Sequence, residues 1–110
     1  PPERAGAASS IAETASEFSG ALGIALFGSA GTLIYRHQLG GAGLADVPAQ
    51  AQSTLGGALE TANRMPPEAA QALVRAAQAA FTDALQFTAL ASAVLVLLAS
   101  VLAARMLRGR

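Results

Sequence analysis

Two glutamates, Glu13 and Glu17, lie four residues apart at the start of a long apolar segment. At this spacing on an α-helix, the two side chains lie about 6 Å apart along the axis and share one face. Carboxylates that close repel each other when both are ionised, so in a low-dielectric setting the pair is expected to keep one proton near neutral pH. An arriving cation or water molecule would release that proton. The spacing therefore predicts proton or cation chemistry.

The same glutamates also fit a purely structural interpretation. Ser10 and Glu13 have the spacing of a capping box, and acidic residues stabilise a helix N-terminus. Counting back about 28 Å from Arg36 places Glu17 near the inner edge of the membrane hydrocarbon. Acidic residues inside a span usually face a cavity or a partner. Both interpretations remain open on these residues alone.

Three neighbours of the glutamates are candidates for lining a cavity. Gly20 and Ile24 continue the face of the acidic pair, and small residues on a membrane helix let another helix approach closely. Phe18, next to Glu17, could offer its aromatic face to a cation, although phenylalanine in such helices is ordinarily a packing residue. The candidate site therefore comprises Glu13, Glu17, Phe18, Gly20 and Ile24.

The composition favours a membrane protein and excludes several other classes. Hydrophobic residues make up 53% of the 110 residues, charged residues only 13%, and the mean hydropathy is +0.44. Seven basic residues, all arginine, balance seven acidic ones, which leaves no basic excess for nucleic acid. With no cysteine and one histidine, no metal site is expected, and no arrangement of residues indicates an enzyme.

Two segments are predicted to cross the membrane, at residues 7–36 and 84–105. The second contains no charged residue before Arg105, and a bilayer core needs about 20 helical residues. Arginines follow it at the C-terminal end and are expected to stay in the cytoplasm. Residues 1–6 and 106–110 are therefore predicted to be cytoplasmic, and residues 37–83 external. The start at Pro1, with no signal-peptide pattern, is expected for part of a longer protein.

The external segment is predicted to form a helical hairpin. Glycines at 40, 41 and 43 end the first long helix, and Asp46 is an N-cap candidate for a second helix that extends to Asn63. Pro67 and Glu68 then favour a new helix that runs directly into the second span. No alternating pattern of β-branched residues indicates a strand.

Segments 5–10, 13–14, 17–25 and 27–29, and more loosely Ala80–Leu85, resemble a known family. They look like the last two helices of fourteen-helix drug:proton antiporters of the major facilitator superfamily, the QacA, SmvA and LfrA type of multidrug efflux pump. The resemblance covers most of the chain, including the long external loop that the family has between these helices. Some relatives carry another acidic residue where this chain has Ala12, which leaves open how many charges the helix handles.

The resemblance implies an all-α membrane protein in which two transmembrane helices, joined by an external helical hairpin, complete a major facilitator superfamily bundle. The chain is then the C-terminal part of a multi-pass pump in a bacterial cytoplasmic membrane. Proton entry would drive the export of cationic or lipophilic drugs, without a cofactor. The partners implied are protons, the drugs, the lipid bilayer and the remaining helices of the pump.

Glu13 and Glu17 would face the central cavity of that pump. The alternative is a small stand-alone helical-hairpin membrane protein that self-assembles or regulates a partner through its small-residue faces. A soluble alanine-rich bundle is disfavoured, because residues 84–104 have no polar face.

Overall fold

The computed structural model describes residues 1–109, and its regular elements are all helical. A short 3-10 turn, Pro2–Arg4, leads into α1, Ala5–Gly40; α2, Ala49–Ser53, α3, Leu55–Ala62, and α4, Pro67–Arg108, follow. No strand occurs within residues 1–109. The molecule is 69 Å long, because α1 and α4 extend about 54 Å and 63 Å at the helical rise.

Both long helices, α1 and α4, are long and apolar enough to cross a membrane. A bilayer core about 30 Å thick needs about 20 residues, so each helix exceeds a single span. Almost none of the residues in their most apolar stretches is buried, whereas a core helix of a soluble protein has a buried apolar face. The expectation of an all-helical chain with two candidate spans is confirmed.

Helix α1 ends at the predicted glycines. The Gly41 N–H donates to the His37 carbonyl at 3.0 Å, and Gly43 then adopts a left-handed φ of 71°, which costs glycine little. Asp46 also has a positive φ, 49°, and does not cap the next helix. The predicted N-cap at Asp46 is wrong, because α2 starts only at Ala49, after the extended residue Pro48.

The first arm of the hairpin consists of two short helices instead of the single helix predicted up to Asn63. Thr54 interrupts it with extended dihedral angles, φ −149° and ψ 155°. Its hydroxyl accepts a hydrogen bond from the Gly57 N–H at 3.0 Å, so Thr54 is the N-cap of α3. Because the helix is interrupted at Thr54, α3 gains an N-cap hydrogen bond that a continuous helix would lack.

The second arm of the hairpin is the beginning of α4, as predicted. Pro67 occupies an early helical position where no N–H is needed, and Glu68 lies in the first turn. The Ala70 N–H donates to the Pro66 carbonyl at 2.9 Å. From there α4 continues without a break through the hairpin into its apolar half.

The buried core lies at one end of the molecule, where α2 and α3 pack against α1 and α4. We call this the outer end, and the opposite end, with Glu13 and Arg105, the inner end. Alanine supplies most of the core, and its small side chain lets the helices approach closely. The buried apolar residues are Tyr35, Leu39, Ala51, Ala58, Ala62, Leu73, Ala77, Ala80 and Ala84.

Tyr35 joins α1 to the hairpin. Its side chain is buried, and its hydroxyl donates to the carbonyl of Ala51, which is fully buried, at 3.0 Å. Next to it, the Arg36 guanidinium donates to the Ser53 hydroxyl at 3.4 Å on the surface. Because a buried carbonyl without a donor is costly, the tyrosine hydroxyl stabilises the position of α2 on α1.

Replacing Tyr35 with phenylalanine is expected to destabilise the outer end by about 1 kcal/mol. The ring would keep its packing, but the Ala51 carbonyl would lose its donor. Thermal unfolding of the intact protein in detergent measures the effect, and Phe27→Tyr, which adds a hydroxyl elsewhere on α1, is a composition-matched control. An unchanged melting temperature in Tyr35→Phe would show that water replaces the hydrogen bond.

Candidate functional site

The acidic pair lies well inside α1 and does not form its N-terminus. The helix begins at Ala5, so Glu13 and Glu17 follow about two and three turns later. The Ser10 hydroxyl donates to the Gly6 carbonyl at 2.7 Å and therefore caps nothing. The capping-box interpretation is wrong, because helical residues precede Ser10.

Both carboxylates are exposed and have no partner on the described chain. Within residues 1–109, neither Glu13 nor Glu17 accepts a side-chain hydrogen bond or an ion pair within 4.0 Å. In the same range the only ion pair joins Glu60, in α3, to Arg64, which lies four residues later and just beyond the end of that helix, at 3.0 Å. The glutamates are thus accessible to protons, cations or a further helix.

The predicted neighbours divide between two faces of α1. At 100° per residue, Gly20 and Ile24 lie within about 60° of Glu17, whereas Phe18 lies 100° away. The Ile24 side chain is 78% exposed and that of Phe18 is 68% exposed. A Cβ added at Gly20 would meet no atom within 4 Å. The role of these residues as cavity lining stays a prediction.

A cleft of about 280 Å³ opens where α1, α4 and the junction of α2 with α3 meet. We call it the outer cleft. Two helices approach closely at its base, where a Cβ on Gly31 would lie 3.7 Å from the Thr88 hydroxyl. Its walls are mostly carbon, with two aromatic rings and several hydroxyl groups. The lining residues are Gly28, Gly31, Thr32, Tyr35, Ser53, Thr54, Leu55, Phe81, Ala84, Leu85 and Thr88.

The outer cleft and the acidic pair lie on the same side of α1. Tyr35, in the cleft, follows Glu17 by five full helical turns, so the two side chains project in the same direction. Gly31 lies about 21 Å above Glu17 along the axis. One side of the helix thus presents negative charge at its inner end and an apolar, aromatic surface at its outer end.

The acidic pair and the outer cleft together offer what a ligand with both a positive charge and an apolar group would need. Carboxylates attract a cation, and an apolar cleft with aromatic rings accepts an apolar group. No group of three His, Cys, Asp or Glu residues in the described part of the chain could hold a metal ion.

Sequence reasoning missed the contacts that join distant segments. The Gln38 side-chain amide donates to the Asp83 carboxylate at 3.2 Å, which connects α1 with α4 at the outer end. The hairpin wall of the outer cleft, formed by Ser53, Thr54 and Leu55, was not predicted either. The five-turn spacing from Glu17 could have identified Tyr35. No sequence signal would have identified the hairpin residues.

Comparison with known proteins gives one clear similarity. No protein-family profile matches the chain, and no solved structure is similar to it. The chain is 35% identical to the multidrug efflux pump LfrA of Mycolicibacterium smegmatis over 108 aligned residues, which cover 91% of the chain. It spans about a fifth of that relative, 20% of its length. The chain is therefore similar, over nearly its whole length, to one segment of a multidrug efflux pump.

Proposed function

We propose that this chain is the C-terminal segment of a proton-coupled multidrug efflux pump of the major facilitator superfamily. In this proposal α1 and α4 are the last two transmembrane helices, and α2, α3 and the beginning of α4 form an external hairpin. The observation that carries the proposal is the 35% identity to LfrA over 91% of the chain. The two apolar helices and the long connection between them agree with it.

Glu13 and Glu17 are the proposed charge carriers of the segment. They lie inside α1 with their carboxylates exposed, and intramembrane acidic residues usually face a water-filled cavity or a partner. Protonation would neutralise the pair, and the ionised pair would attract a cationic drug. The apolar side of α1 above them would guide the hydrophobic part of the same compound.

Two helices cannot form this pathway by themselves. A buried charge and alternating access need surrounding helices that supply water and partners. The exposed large apolar residues of α1 and α4, such as Ile24, Leu90 and Val94, offer the surface on which lipid and the remaining helices would pack. In this proposal the complete pump resides in a bacterial cytoplasmic membrane and needs no cofactor.

Everted membrane vesicles that contain the intact protein test the transport activity. When respiration acidifies the vesicle interior, a fluorescent lipophilic cation such as ethidium is expected to accumulate inside, and a protonophore is expected to release it. Vesicles from cells without the protein are the control. Accumulation that is absent, or that persists with the protonophore, would contradict proton-coupled export.

A further inference from the structure

The antiparallel register of α1 and α4 follows from two contacts at the outer end. Gln38 donates to Asp83, and Gly31 lies against Thr88. Counted from the first contact at 1.5 Å per residue, Glu17 lies about 32 Å towards the inner end and Arg105 about 33 Å. The acidic pair of one helix and the first arginine at the end of the other therefore reach the same depth.

The packed side of α4 leads directly to Arg105. Ala77 and Ala84 are buried and Ala91 is half-buried, and these residues recur every seven positions. In two helices that stay in contact along their length, the contacting residues recur with this seven-residue period. Continued by the same period, the row passes through Leu98 and reaches Arg105.

On α1, a row of packed residues at the same seven-residue spacing also extends to the acidic pair. Ile34 and Phe27 are half-buried and seven positions apart. The same period continues through Gly20 to Glu13, with Glu17 one turn above. By register, Arg105 falls at a depth between Glu13 and Glu17.

The inner halves of the two helices are separate in this structure. All residues from 1 to 22 and from 93 to 109 are exposed, and no ion pair joins α1 and α4 within the described residues. Leu98, on the row that leads to Arg105, is 62% exposed. On α1, a Cβ on Gly20 would meet no atom within 4 Å. By register, this small residue and Leu98 lie within about 5 Å of the same depth.

We propose that the inner halves of α1 and α4 close onto each other and that Arg105 then binds the carboxylates of Glu13 and Glu17. Closure would bury Leu98 against Gly20, and the planar guanidinium could bridge two carboxylates one turn apart. Arg105 would thus be a positioning residue that holds the two carboxylates in place while the gap is closed. The ion pair goes beyond the proposed transport function and does not depend on whether Glu13 and Glu17 couple transport to protons.

Disulfide formation tests the closure in the intact protein, since this chain contains no cysteine. Other cysteines of the protein are first replaced, and Gly20→Cys is combined with Leu98→Cys. Copper phenanthroline is expected to link the two positions, because closure brings their Cβ atoms to disulfide distance. Gly31→Cys with Thr88→Cys, which are in contact here, is the positive control. If the control links and the inner pair does not, the helices stay apart and closure is refuted.

The role of Arg105 is tested in the same assay. Arg105→Gln is expected to lower the yield of the inner disulfide about fivefold, in keeping with the loss of one ion pair. Arg105→Lys should restore most of it. Arg108→Gln is the matched control, because Arg108 lies roughly 60° around the helix from the row. The ion pair would be refuted if all variants gave the same yield of the inner disulfide. It would also be refuted if Arg108→Gln lowered that yield as much as Arg105→Gln. Neither outcome depends on transport activity.

Discussion

Replacing Glu17 with glutamine is expected to reduce proton-driven drug export by roughly tenfold, the effect of losing one charge-assisted interaction. Glutamine keeps the size of the side chain and its ability to accept a hydrogen bond, but it can neither release a proton nor carry charge. The initial rate of dye accumulation in everted vesicles, at fixed pH gradient, measures the effect. The amount of protein in the membrane should not change, because the residue is exposed and its side chain makes no hydrogen bond within residues 1–109.

Glu3→Gln is the matched control for this experiment. This substitution removes the same charge from the same end of the chain as Glu17→Gln does. Glu3, however, lies in the short turn before α1. Its replacement should leave the rate within about twofold, as expected for an exposed surface residue. If Glu17→Gln exports as fast as the unchanged protein, Glu17 does not carry the proton. If both variants slow export equally, the effect is one of net charge.

Replacing Gly57 with alanine is expected to destabilise the hairpin by about 2 kcal/mol, although alanine is the better helix former. Gly57 is buried at the start of α3, and an added Cβ would collide with the backbone carbonyl of Gln50. It would also lie 3.2 Å from the Thr54 hydroxyl that caps the helix. Since the colliding group belongs to the backbone, α2 and α3 would have to separate.

Replacing Gly56, one residue earlier, with alanine is expected to have the opposite effect on stability. It is exposed in the same helix, and a Cβ there would meet no atom within 4 Å. Gly56→Ala should therefore stabilise α3 by about 0.5–1 kcal/mol. Amide hydrogen exchange in α3 of the intact protein distinguishes the two variants: faster exchange is expected for Gly57→Ala and slower exchange for Gly56→Ala. Equal exchange would mean that the close approach of α2 and α3 does not hold the hairpin together.

The end of α1 and the start of α4 could be predicted from the sequence because local chemistry determines them. Glycines after Leu39 end α1, and Pro67 with Glu68 starts α4. The local rule failed at Asp46, the predicted N-cap of the helix that extends to Asn63. Asp46 has a positive φ and lies before the first helical residue, and Thr54 caps α3 within that segment.

The candidate site could be predicted only in part, for a physical reason. Glu13, Glu17 and Ile24 are related by helical spacing alone, and the uninterrupted helix α1 keeps that spacing. The hydrogen bonds from Tyr35 to Ala51 and from Gln38 to Asp83 depend on how the hairpin folds back, which no local pattern specifies. The contacts that set the register of the two long helices were therefore invisible in the sequence.

The unbroken course of α4 has a mechanical consequence. A helix without a hinge acts as a lever, and α4 carries part of the buried core on its first half and the apolar stretch on its last half. The arm from Asp83 to Pro67 is about 24 Å long, so a tilt of the span by roughly 10° would swing its tip by about 4 Å. In the proposed pump, small movements of α4 within the bilayer would thus become larger displacements of the hairpin.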